Sequence, residues 1–116
     1  MRLEHANDLL KGWSVGAWNS SLPIAIGFAN QGIDEPHVHL QITEIYLVAR
    51  GEAEIRIERE TLKLRIGDIL VVEPGEAHTF ISSSPEYFHF VIHAPSLVAE
   101  ELKRDKMSVT HLQLGL

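Results

Sequence analysis

The sequence predicts an all-β fold, a sandwich or barrel of short antiparallel strands. Three observations predict it. Apolar and polar residues alternate with period two through the middle of the chain, turn residues interrupt that alternation every few positions, and only one stretch reads as helix.

The expected strands follow in order. Residues 24–29 form the first apolar run, and His37-Val-His39 is a short strand after the Gly32 turn. Residues 44–49 come next. Residues 53–58 and 62–66 alternate small or apolar with charged side chains around a turn near Arg59 and Glu60, so each has one wet face. Residues 69–72, 79–81 and 87–93 complete the set, punctuated by Gly67, Gly75 and the Ser82-Ser-Ser-Pro85 loop. The helix is expected after Pro95, with Ser96 as N-cap and residues 97 to about 103 helical. Residues 108–116 alternate weakly through Val109, Leu112, Leu114 and Leu116, which suits an edge strand or a contact with another subunit.

Composition bounds the function. At 116 residues, 45% hydrophobic and 22% charged, the chain suits one globular domain spanning 1–116. The formal net charge of −6 argues against nucleic acid as a partner, since phosphate readers need clustered Lys and Arg. With no cysteine, disulfides, thiolate metal sites and cysteine nucleophiles are excluded. The amino-terminal residues lack a signal-peptide core and no apolar run is long enough to span a bilayer, so the expectation is a cytoplasmic protein without a membrane partner. No GxSxG, GxGxxG, P-loop or HExxH pattern is present.

His37 and His39 stand two apart on one strand, so both imidazoles point to the same side, as one metal ion requires. Glu44 lies an odd number of residues beyond His39, so the chain must bend or bulge between Gln41 and Thr43 to bring its carboxylate to that side. His78, in Glu73-Pro-Gly-Glu-Ala-His78, joins only if its strand lies beside the first. Three imidazoles and a carboxylate would then converge on one divalent transition metal: Mn, Fe, Co, Ni, Cu or Zn, calcium and magnesium preferring oxygen donors.

These residues resemble the cupin family, whose first motif is G(x)5HxH(x)3–4E(x)6G and whose second is G(x)5PxG(x)2H(x)3N. His37, His39, Glu44 and Gly51 fit the first, and Gly67, Gly75 and His78 fit the second, across roughly residues 24–95. Three positions depart: Gly32 stands one residue close to His37, Glu73 occupies the proline position, and Ser82 replaces the closing Asn. All three touch turns and none touches a ligand position. The resemblance implies a double-stranded β-helix, or jelly roll, with the metal inside its mouth, and a homodimer. It does not select a reaction, because cupins include dioxygenases, oxidases, isomerases, lyases and simple binding modules.

The pocket carries the rest. Continued alternation puts Tyr46 on the Glu44 face and Phe80 on the His78 face, with Gln41 beside His39 if the bend follows it; Gln41, Tyr46 and Phe80 are the expected lining. In the last long strand, Phe88, Phe90 and Ile92 make the natural core face, which leaves His89 and His93 outside or at a subunit contact. A polar strand face can also line a cavity, so Tyr46 and His89 are the acid–base candidates. No Lys or Arg is expected in the cavity, which favours a small neutral or singly charged oxygenated ligand. The leading expectation is a small metal-dependent enzyme of dioxygenase or Lewis-acid type; the alternative is a non-catalytic module that binds or senses a small molecule.

Overall fold

Two antiparallel sheets of five strands face each other in a computed structural model that describes residues 1–6 and 10–116. The strands are β1 (Lys11–Val15), β2 (Ala25–Ala29), β3 (His37–His39), β4 (Thr43–Arg50), β5 (Glu52–Ile57), β6 (Glu60–Arg65), β7 (Ile69–Val72), β8 (His78–Ser83), β9 (Phe88–Ala94) and β10 (Lys106–Ser108). The first sheet runs β1-β2-β9-β4-β7 and the second β10-β3-β8-β5-β6, so strands near in sequence repeatedly cross between layers. This is the jelly-roll arrangement of a double-stranded β-helix.

The closed end of the barrel is an apolar core. Val48, Ala53, Ile55, Leu64, Val72, Phe80 and Tyr87 pack there, with Ile55 fully buried. Each such aliphatic side chain contributes about 2 to 3 kcal/mol of hydrophobic stabilisation. The other end is open and lined by histidines.

Two predicted elements shift. The helix α1 spans Ala99–Asp105 and begins after Val98, without a side-chain cap. Ser96 does not cap it, because its amide donates to the Pro23 carbonyl at 2.9 Å, which holds this residue in extended chain ahead of the helix. Acidic Glu100 and Glu101 in the first turn and basic Lys103 and Arg104 in the last complement the helix dipole instead. The carboxyl-terminal strand is also shorter and earlier than the sequence suggests: β10 pairs with β3, and Leu112–Leu114 closes the chain as a 3-10 turn that buries Leu114. β1, unforeseen in the sequence, adds an edge to the first sheet beside β2.

Candidate metal centre and its cavity

β3 and β8 are neighbours, with His37 opposite His78 in register, so the two distant motifs meet. The Glu73–Gly75 turn is tied to β3 by the Gly75 amide, which donates to the His39 carbonyl at 2.8 Å; Gly75 has φ of 88°, a backbone conformation natural to glycine. The chain after His39 turns at Leu40–Gln41, one step earlier than expected. Asp105, at the end of α1, makes that turn. Its buried carboxylate accepts from the Gln41 amide at 2.6 Å and the Ile42 amide at 3.2 Å, while its own carbonyl accepts from Leu40. The bend resets the alternation and carries Glu44 to the side of His39. It also turns Gln41 outward, so the expected pocket role of Gln41 is corrected: its side chain is exposed.

Glu44 is the hub of the site. His78 Nε2 lies 2.8 Å from its Oε1, His39 Nε2 3.4 Å and His37 Nε2 3.6 Å, while His93 Nε2 lies 2.7 Å from Oε2. Burial pushes the Glu44 carboxyl up, but the four surrounding imidazoles outweigh it and hold the carboxyl well below its usual range. For His39, burial works against protonation, yet Glu44 and then Asp105 leave its pKa raised.

The outer nitrogens of three of these rings are already committed. His39 Nδ1 donates to Asp105 Oδ2 at 2.7 Å, His37 Nδ1 to the Glu35 carbonyl at 2.6 Å, and His78 Nδ1 to the Glu76 carbonyl at 3.0 Å. Each acceptor fixes the proton on Nδ1, so a neutral ring turns its Nε2 lone pair inward. Three lone pairs then face a carboxylate that offers only lone pairs. Such a cluster repels itself unless a proton or a metal ion sits among them, and the donor set of three nitrogens and one oxygen suits a divalent transition ion.

His93 differs. Its Nδ1 has no hydrogen-bond partner among the described residues, so its Nε2–H is free to donate to Glu44. It is also within ligand reach, since His39, Glu44 and His93 form one close triple and His37, Glu44 and His78 another. Both His89 and His93 are buried and turned into the barrel, which corrects the expectation that they lie outside. Phe90 is the exposed residue of that strand, at 44%. Register decides this: β9 lies against β4 with His93 opposite Glu44 and His89 opposite Val48, and both β4 residues face inward. Asp105 and His93 are the residues around Glu44 and His39 that sequence reasoning missed.

A cavity of about 530 Å³ adjoins the cluster. Tyr46 and Phe80 line it, both nearly sealed, with the Tyr46 hydroxyl 3.4 Å from His78 Nε2. Burial and then the Glu44 charge push the Tyr46 hydroxyl well above its ordinary pKa, so it remains a proton carrier. His89 lines the cavity farther from Glu44. Burial drives its pKa down to about 4, which makes it a neutral imidazole at physiological pH. Two cations do reach this space, contrary to expectation: Lys11 from β1 and Lys106 from β10, the latter paired with Glu35. Trp13 and Trp18 supply an aromatic wall.

No similarity to a protein of curated function was found. Among solved structures, a double-stranded β-helix domain protein from Klebsiella pneumoniae superposes with a TM-score of 0.69 at 18% identity, covering 95% of this chain and 98% of that one. KdgF from Halomonas sp. gives 0.63 at 19% identity, with 78% and 81% covered. A uridine complex of Streptomyces Pac13, described as a nucleoside dehydratase, gives 0.65 at 14% identity, with 94% and 92% covered. At such identities the likeness is one of fold. No helix is long and apolar enough to cross a membrane among the described residues. Residues 20–113 match the family described as the AraC-like ligand binding domain, and the chain therefore belongs to that family of cupin-type domains.

Proposed function

We propose that the chain binds one divalent transition-metal ion through His37, His39, Glu44 and His78 and uses it to hold and activate a small oxygenated molecule in the adjoining cavity. The observation that carries this reading is the outward commitment of three Nδ1 atoms, which leaves three Nε2 lone pairs aimed at Glu44. Four protein donors on an ion that accepts six leave two positions for a ligand's oxygens. The bound ion supplies Lewis acidity, or with Fe or Mn a redox centre. His93 holds the second Glu44 oxygen and keeps the carboxylate oriented. Tyr46 carries a proton at the inner wall, and Phe80 excludes water beside it.

A binding or sensing module without turnover is the second reading, favoured by the family's description as a ligand-binding domain. Uridine bound to a Pac13 variant of the same fold supports a small-molecule occupant in either case. We also assign the outer face of the first sheet, where Ile69, Val71 and Phe90 are exposed, to contact with a second copy of the chain. Light scattering on eluting protein tests that point: a dimer mass supports it, and a monomer at all concentrations removes it.

The enzyme and the binder separate when Fe- and Mn-loaded protein meets a panel of diketones, hydroxy acids and phenols while oxygen uptake and substrate loss are followed. Turnover supports the enzyme. Saturable binding with no loss of any compound supports the module.

A further inference from the structure

Cross-strand rows on the inner face of the first sheet lead away from the ion. The metal row is Glu44, His93 and Ala25, the next is Tyr46, Val91, Gly27 and Trp13, and the third is Val48, His89, Ala29 and Lys11. β2 contributes only Ala25, Gly27 and Ala29 to these rows; the Trp13 ring lies over Gly27 with its centroid 4.5 Å from that of His93, and one cavity borders all three rows. A Cβ on Gly27 would come within 2.8 Å of the Trp13 ring and 2.7 Å of the Gly12 carbonyl, so this strand must stay bare. From the first row to the third is four residues, about 13 Å along the strand. An extended small molecule can touch both ends.

At the far end stands a committed donor. His89 Nδ1 lies 2.7 Å from the Tyr87 hydroxyl, which is buried and has no other partner among the described residues. If the imidazole donated, the tyrosine proton would be buried without an acceptor, a costly arrangement. The hydroxyl therefore donates to Nδ1, and the His89 proton sits on Nε2. That nitrogen has no partner among the described residues, yet it is not sealed: Ser96 Oγ is the one enclosed side-chain polar atom without a hydrogen bond among them. Nε2–H is open to the cavity that His89 lines.

We infer that His89, held by Tyr87 as an Nε2–H donor and joined by the Lys11 ammonium of the same row, is a second anchoring point that binds a carboxylate at the far end of the ligand. The cavity's ligand is then an elongated monocarboxylate: metal-coordinating oxygens at one end, an apolar middle against Trp13 and Val91, and the carboxylate between His89 and Lys11. The inference rests on the proposed metal site only for the first of these ends.

Nitrogen-15 correlation spectra of the histidine rings test it in the full chain, with benzoate and its neutral amide, benzamide, as probes. In the free protein His89 is expected as the Nε2–H tautomer. Benzoate should shift the His89 ring saturably and bind about tenfold more tightly than benzamide, because a charged acceptor strengthens the hydrogen bond. Lys11→Met, an exposed strand position, should reduce that preference severalfold, and His89→Phe should abolish it. An Nδ1–H tautomer, equal affinity for the two probes, or a benzoate response unchanged by Lys11→Met would each overturn the inference. Zn2+ added in the same experiment reports on His37, His39 and His78 separately. If these rings ignore zinc while His89 behaves as expected, the metal reading fails and the carboxylate anchor stands; the reverse outcome removes the anchor alone.

Discussion

Five histidines point into this barrel, and the two sheets use them in opposite ways. On the second sheet, His37, His39 and His78 spend their Nδ1 protons on fixed acceptors behind them and present lone pairs. On β9 of the first sheet, His93 has no such anchor among the described residues and His89 has the reverse one, a hydroxyl that donates into its Nδ1. Both β9 rings consequently present N–H. The group behind a ring, more than the ring's position, sets whether it faces the cavity as an acceptor suited to a metal or as a donor suited to an oxygen.

Glu44→Ala breaks the contrast most severely. It removes the one carboxylate among the imidazoles, and divalent-ion affinity measured by calorimetry should fall by a hundredfold or more, on the order of 3 kcal/mol. Asp105→Asn is next. The amide frees the His39 tautomer and weakens the turn that delivers Glu44, so ion affinity should drop about 10- to 100-fold, as for other partners behind metal-bound histidines. Loss of affinity below threefold would detach Asp105 from the site.

His93→Gln sharpens the comparison, because glutamine retains an N–H for Glu44 but replaces the imidazole. Ion affinity should fall by less than tenfold, whereas His78→Gln should cost as much as Asp105→Asn or more. Equal losses at the two positions would make His93 a ligand in its own right.

The contrast also shows in the pH dependence of stability. His89 titrates near 4 when folded and near 6.5 when unfolded, so between those values the unfolded chain binds more protons. Stability contributed by neutral His89 is therefore fully present above about pH 6.5 and declines as pH falls toward 4, by up to about 3 kcal/mol. Denaturant unfolding of His89→Phe against the parent should show a shallower acid slope over that window.

Much of this was legible in the sequence because it is local. Strand alternation, the turn glycines and the spacing of His37, His39, Glu44 and His78 mark the sheets and bring the two motifs together on one cupin barrel. The need for a bend before Glu44 was also visible, but its cause was not. Asp105 lies 66 residues from His39, and a lone carboxylate at the end of a short helix gives no signal of its target. The two faces of β9 were separable by alternation, yet apolarity favoured the phenylalanine face as core. Only the register with β4 shows that the histidine face lies inside, and register between distant strands has no local signature. The bare strand β2 is similar: Ala25, Gly27 and Ala29 read as an ordinary small-residue strand until β1 and β9 are placed on either side and Trp13 is seen to lie over Gly27.

The central claim is that three inward lone pairs and Glu44 form a metal centre. Chelator-treated protein titrated with Mn2+, Ni2+ and Zn2+ by calorimetry, with metal content measured after gel filtration, tests it most directly. The account predicts saturable binding of about one ion per chain, abolished in Glu44→Ala. Retention of less than about a tenth of an equivalent of every ion, with no binding heat, would contradict it.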